Sequence, residues 1–247
     1  MTTPRSVLIL GGISDMGFAI AESYAAKGWR VTLAAREGEN VERNVSDLTL
    51  RFGAVTSSAI FDACKTGEHK AFLDRLAVLP DTAVCVVGLL GQQPRAETDV
   101  AHATDILRAN FEGPALLLGE IANRMAVRGS GTIVGVSSVA GDRGRGSNYI
   151  YGSAKAGLTA FLSGLRNRMA KQGVHVLTVK PGFVRTSMTT GLNLPKPITA
   201  EPDEVARAVY RAAEVRKRDV IYVRPVWRLI MLTIRNIPEG IFKKLRL

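Results

Sequence analysis

Leu8-Ile9-Leu10-Gly11-Gly12-Ile13-Ser14-Asp15-Met16-Gly17-Phe18-Ala19 is an apolar run that breaks on two glycines and resumes with helical spacing. A short strand turning through glycine into a helix is a characteristic unit of parallel α/β folds. Glycine lets the backbone turn tightly and approach a ligand closely, while the amides that open the helix point their N–H groups at negative charge. Gly11 and Gly17 stand six apart, with small Ala19 two residues on. The generic G-x-G-x-x-G spacing is absent, so the turn alone suits a diphosphate cradle and a plain tight turn equally.

The same punctuation recurs. Short apolar runs at residues 31–35, 55–61, 83–87, 132–136, 174–179 and 220–223 are separated by longer stretches of helical spacing, among them 19–27, 101–125 and 154–171. Strands alternating with helices predict a doubly wound α/β domain over residues 1–224, a parallel sheet with helices on both faces. A chain of 247 residues buries such a core without staples, and Cys64 and Cys85 read as reduced thiols of a cytoplasmic protein. A 46% hydrophobic and 22% charged composition excludes disorder. No uncharged apolar run reaches the ~18 residues of a spanning helix, and residues 7–10 are too short for a secretory core. No metal site is expected.

The strand at 31–35 ends on Arg36, with Ala35 where an acidic residue would hold a ribose 2′-hydroxyl and Glu37 one position late. An arginine there accommodates a 2′-phosphate, so any dinucleotide is expected to be NADPH rather than NADH. A solvated arginine at a strand end is the plain alternative.

Ile133-Val134-Gly135-Val136-Ser137-Ser138 reads as a strand ending in two hydroxyls, and Tyr151-Gly152-Ser153-Ala154-Lys155 follows thirteen residues later. Tyr151 and Lys155, at i and i+4, share one helix face. A phenol with a pKa near ~10 is a poor proton carrier at neutral pH, and a nearby ammonium draws it toward the working range. A hydroxyl at the strand end polarises a carbonyl oxygen. This Ser–Tyr–Lys spacing, behind an amino-terminal glycine turn, resembles the short-chain dehydrogenase/reductase family.

The resemblance covers almost the whole chain and implies a Rossmann-type fold, hydride transfer between NADPH and a ketone, and a homo-oligomer. It casts Ser138, Tyr151 and Lys155 as catalytic residues. Asn110, in Ala109-Asn110-Phe111-Glu112-Gly113, matches the family's asparagine that orders a water leading to the lysine. It also implies cofactor contacts at Gly11, Ser14, Asp15, Met16, Gly17, Arg36, Asp62, Gly88, Tyr151 and Lys155, and in Lys180-Pro181-Gly182-Phe183-Val184-Arg185-Thr186 at Pro181, Gly182, Val184 and Thr186. Two departures stand out. Asp15 replaces the usual middle glycine and is expected to strain or reposition the diphosphate loop, while Cys85-Val86-Val87 replaces Asn-Asn-Ala and removes hydrogen bonds that brace the sheet.

Net charge is +11, and residues 216–247 carry +7 of it: nine basic residues, including Arg228, Arg235, Lys243, Lys244 and Arg246, face only Asp219 and Glu239. Trp227, Leu229, Ile230, Met231, Leu232, Ile234, Ile237, Ile241 and Phe242 are interleaved with them. This predicts a basic, apolar helical appendage over 225–247 that meets a membrane surface peripherally rather than nucleic acid. A helix closing the core is the alternative. Arg143 and Arg145, in Gly141-Asp142-Arg143-Gly144-Arg145-Gly146, are expected at the mouth of the site, with Met188, Leu192, Leu194 and Pro195 as an apolar flap. Within the family, the segment 235–245 resembles reductases of a keto-sugar on a polyprenyl phosphate, which implies a lipid-linked sugar substrate and a flavin oxidase partner. A soluble reductase of a 3-oxoacyl thioester or small ketone, and a non-catalytic dinucleotide-binding subunit of a membrane complex, are the other readings.

Overall fold

The computed structural model describes residues 4–36 and 38–245, the side chains of 38 and 39 excepted, so Glu37, Arg246 and Leu247 lie outside the described residues. The apolar runs become strands β1 (Ser6–Leu10), β2 (Arg30–Ala35), β3 (Thr56–Ile60), β4 (Thr82–Cys85), β5 (Gly131–Val136) and β6 (Val174–Lys180). β7 (Phe183–Val184) and β8 (Thr199–Ala200) form a separate two-stranded parallel ladder, and β9 (Val220–Tyr222) returns to the main sheet. The helices are α1 (Asp15–Ala25), α2 (Gly38–Phe52), α3 (His69–Asp74), α4 (Gln93–Ala96), α5 (Val100–Leu107), α6 (Gly113–Arg128), α7 (Tyr149–Met169), α8 (Pro202–Tyr210), α9 (Val226–Asn236) and α10 (Glu239–Phe242).

The main sheet is parallel throughout, in the order β3-β2-β1-β4-β5-β6-β9. The chain builds outward from β1 to β3, then crosses back to start β4 on the other side of β1. A crevice opens at the carboxyl ends of the strands where the order reverses, the position at which such sheets bind ligands. Both faces are covered because successive side chains point to opposite sides. Val7 and Ile9 of β1 face the cluster holding Ile20, Tyr24 and Val205, whereas Leu8 and Leu10 face the one holding Leu117, Ile121 and Leu158.

The carboxyl-terminal segment packs on this domain. Trp227 and Met231, on the inner face of α9, are buried with Val139 against Phe183 and Tyr222. Trp227 Nε1 donates to the Ile198 carbonyl at 2.9 Å, and the indole presses on Gly182, where a Cβ would lie 1.9 Å from the ring. The turn into α9 puts Arg224 at φ +60°, a left-handed conformation costly for a side-chain-bearing residue. Its guanidinium bridges both carboxylate oxygens of Glu204, at 3.0 and 2.7 Å. The outer face of α9 leaves Leu229 66% and Leu232 61% exposed. Among the described residues, no helix is long and apolar enough to cross a membrane.

Candidate active site

Of the two hydroxyls ending β5, the structure separates an inward from an outward one. Ser137 is buried, its Oγ donating to the Lys155 carbonyl at 2.9 Å and meeting Thr159 Oγ1 at 2.7 Å. Ser138 Oγ accepts from the Ala140 amide at 3.1 Å and lines a cleft of about 440 Å³. With that acceptor position used, its O–H remains able to donate into the cleft. Tyr151, in the first turn of α7, lines the same cleft.

Lys155, one turn on, is buried. Its Nζ donates to the Val136 carbonyl at 3.1 Å and lies 5.8 Å from the centre of the Tyr151 ring. Here the expectation for the phenol needs correction. Burial pushes Tyr151 up to about 12, opposed by the Ser138 hydroxyl, so the phenol is not drawn toward the working range. Burial likewise holds Lys155 down at about 8, against a slight upward pull from Cys85. The lysine, rather than the phenol, is the group brought near neutrality.

Asn110 stands at the centre of a wider, π-helical turn between α5 and α6. Such turns put a side chain where a regular helix would not. Its Nδ2 donates to the carbonyls of Leu89 at 2.6 Å and Ile106 at 2.8 Å, while Oδ1 accepts from the Leu89 amide at 3.2 Å. Gly88 lies beside it: a Cβ there would sit 2.9 Å from Asn110 Oδ1 and 3.4 Å from Lys155 Nζ. Asn110, Gly88 and Lys155 therefore converge behind the cleft.

The glycine turn is as tight as its sequence suggests. Gly11 has φ +91°, and its carbonyl accepts from the Ser14 amide at 3.0 Å and from Ser14 Oγ at 2.8 Å. Ser14 Oγ in turn caps α1 by accepting from the Gly17 amide at 3.1 Å. A Cβ on Gly17 would stand 2.3 Å from the Gly11 carbonyl oxygen, so the side-chain-free backbone keeps the cradle open at the helix start. Arg36 is exposed at the carboxyl end of β2, beside the turn, and Asp62 follows β3, its Oδ1 accepting from the Cys64 amide at 2.9 Å. Pro181, Gly182, Val184, Thr186 and Met16 line the cleft. The donor set at the start of α1 thus fits a diphosphate, with a cation at one end.

Comparison with known proteins agrees with this geometry. Residues 5–196 match the short chain dehydrogenase family. An uncharacterised oxidoreductase of Mycobacterium tuberculosis is 36% identical over 247 residues, covering 99% of this chain and 98% of its own. The chain belongs to the short-chain dehydrogenase/reductase family. An acetoacetyl-CoA reductase of Allochromatium vinosum is 27% identical, over 83% of this chain and 89% of the relative. The fold also superposes on a short-chain dehydrogenase of Sphingobium yanoikuyae solved in complex with NADPH, with TM-score 0.81, 21% identity and coverage of 96% and 97% of the two chains.

As a member of the short-chain dehydrogenase/reductase family, the protein is an oxidoreductase with a nicotinamide dinucleotide as its hydride carrier. Its two departures from the family pattern are accommodated locally. Asp15 does not strain the turn: it occupies the first helical position of α1, and its Oδ2 accepts from the Ser187 amide at 2.6 Å and Ser187 Oγ at 2.8 Å. That clasp joins the glycine turn to the flap after β7. At Cys85-Val86-Val87, apolar packing takes the place of side-chain hydrogen bonds, with Cys85 and Val86 buried and the thiol pushed up to about 11.

Residues not singled out from the sequence hold the loop after Ser138. Asp142 forms a buried ion pair with Lys180 and accepts from Tyr222 Oη at 2.7 Å. Arg143, expected at the mouth of the site, turns away from it into the carboxyl-terminal segment. Its Nη1 donates to the Ile234 and Ile237 carbonyls at 2.7 and 2.6 Å, Nη2 pairs with Glu239 at 2.8 Å, and the guanidinium lies 3.6 Å over the Phe242 ring. Nothing in the local sequence distinguishes Arg143 from Arg145. Their separation comes from contacts more than ninety residues away.

Proposed function

We propose that this oxidoreductase reduces a ketone with NADPH. One observation carries the reading: Ser138 and Tyr151 face the same cleft while Lys155, Asn110 and Gly88 converge behind it. When bound, the nicotinamide supplies the hydride. Tyr151 Oη gives its proton to the oxygen that becomes the alcohol, and Ser138 Oγ donates a hydrogen bond to the same oxygen, holding the carbonyl in line. Lys155 Nζ, held near 8 by burial, exchanges a proton at neutral pH and restores the phenol. Asn110 orders a water leading to Lys155. The backbone amides of Asp15 and Met16, which open α1, would hold the diphosphate, with Gly11, Ser14 and Gly17 shaping the cradle through their own hydrogen bonds. Asp62 would hold the adenine, and Gly88, Pro181, Gly182, Val184 and Thr186 the nicotinamide end. Arg36 takes the 2′-phosphate and sets NADPH over NADH.

For the substrate, we favour a keto-sugar linked to a polyprenyl phosphate. The tail Arg235-Asn236-Ile237-Pro238-Glu239-Gly240-Ile241-Phe242-Lys243-Lys244-Leu245 resembles that of decaprenylphosphoryl-2-keto-β-D-erythro-pentose reductase, the partner of a flavin oxidase. Exposed Leu229 and Leu232, flanked by Arg228 and Arg235, suit a peripheral contact with an anionic membrane face. Exposed Phe111 and Leu116 suit contact with a second copy of the chain. The likeness to an acetoacetyl-CoA reductase favours a second reading, reduction of a 3-oxoacyl thioester. NADPH oxidation with a polyprenyl-linked keto-sugar and with acetoacetyl-CoA separates the two. Turnover of the lipid is expected to exceed that of the thioester, and the reverse order overturns the substrate assignment while leaving the reductase.

A further inference from the structure

Arg145 is the one charged residue among the described residues that line the cleft. It lies on the loop between Ser138 and α7, where every other charged side chain is spoken for: Asp142 by Lys180 and Tyr222, Arg143 by the carboxyl-terminal segment. Arg145 makes no ion pair among the described residues, and its Nε is sealed from solvent without a hydrogen-bond partner. Burial with no acid nearby lowers its affinity for the proton, although a guanidinium remains cationic. Asn148 Oδ1, in the same cleft wall, is also buried and unpartnered. Arg145 is half-buried with one N–H sealed and unpartnered, and a cation kept that way in an otherwise neutral cleft is a ready-made partner for an incoming anion.

Leu90, Pro94, Phe183 and Leu192 supply apolar walls around it. Building on the reductase reading, we infer that Arg145 is a specificity-determining residue that binds an oxyanion, a carboxylate or a phosphate ester, carried by the ketone substrate. Asn148 Oδ1 accepts from a hydroxyl or amide of the substrate beside that group. The cleft then selects a molecule with three parts: a carbonyl at Ser138 and Tyr151, an anion at Arg145, and an apolar remainder.

The test uses the full chain, NADPH and three matched aliphatic ketones bearing a carboxylate, its methyl ester or a phosphate monoester. At least one anion is expected to exceed the ester at least tenfold in kcat/KM. Arg145→Gln should bring that ratio close to one, and Arg145→Lys should retain part of it. Whichever anion shows the gain identifies the group. Equal turnover of anions and ester by the wild type, or a proportional loss for all three in Arg145→Gln, overturns the inference. So does loss of NADPH binding in that variant, measured by fluorescence, because Arg145 would then serve the cofactor. If NADPH binds yet none of these ketones turns over, and neither does the polyprenyl-linked keto-sugar or acetoacetyl-CoA, the reductase reading fails by itself. Thermal stabilisation by the corresponding non-ketonic carboxylate and phosphate still decides Arg145: present in wild type and absent in Arg145→Gln supports it, and no difference overturns it.

Discussion

Lys155 is a charge kept where charge is disfavoured, and that conflict has a measurable signature. Its folded pKa of about 8 lies below the ordinary 10.5, so between those values the unfolded chain binds more protons than the folded one. Stability contributed at this site therefore rises with pH through that window, and the full penalty is present below it. Lys155→Met, which deletes the charge, is expected to be inactive yet more stable than wild type at pH 7.5. The difference in unfolding free energy should shrink by about 2 kcal/mol at pH 9.5. A gap independent of pH would contradict a buried ammonium. Arg36 offers a second test at this scale: Arg36→Asp is expected to shift the NADPH-to-NADH ratio of kcat/KM at least tenfold toward NADH, and an unchanged ratio removes Arg36 from the cofactor. The pair of hydroxyls at the end of β5 was legible in the sequence, but not which of them faces the cleft. That depends on Thr159 and the Lys155 carbonyl drawing Ser137 against α7.

At the scale of elements, the loop from Ser138 to Asn148 owes its shape to partners distant in the chain. Lys180 and Tyr222 anchor Asp142, and Arg143 satisfies carbonyls at the end of α9, which a helix terminus otherwise leaves unpaired. Arg143→Ala removes these bonds, the ion pair to Glu239 and the contact with Phe242 together. It is expected to cost about 2–3 kcal/mol and to lower Tm by roughly 5–10 °C. Proteolysis should open first around residues 236–240, and an unshifted melting curve would contradict the staple. Periodicity marked helical stretches over 101–125 and 154–171 but neither the start of α7 at Tyr149 nor the wider turn at Arg108–Glu112 that divides the first stretch, because a π-turn leaves no mark on apolar spacing. It also gave no sign of the clasp between Asp15 and Ser187, which joins residues 172 positions apart.

Across the whole molecule, the seven strands of the main sheet coincide with the apolar runs to within two residues at either end. Parallel strands covered on both faces leave little room for polar residues, so their boundaries are written plainly. The concentrated charge was equally legible, but the two-sided nature of its helix was not. Trp227 and Met231 close the domain while Leu229 and Leu232 face outward. Leu229→Glu with Leu232→Glu is accordingly expected to abolish co-sedimentation with anionic vesicles while preserving the melting temperature, and retained sedimentation would contradict a lipid contact through this face. In the proposed reaction, Tyr151, Ser138 and Lys155 form a proton-transfer site beside a dinucleotide cradle. NADPH oxidation by wild type and Tyr151→Phe, with cofactor binding followed in parallel by fluorescence, tests it most directly. Turnover is expected to fall at least a thousandfold with NADPH affinity unchanged; turnover within tenfold of wild type would remove Tyr151 from the proton-transfer step.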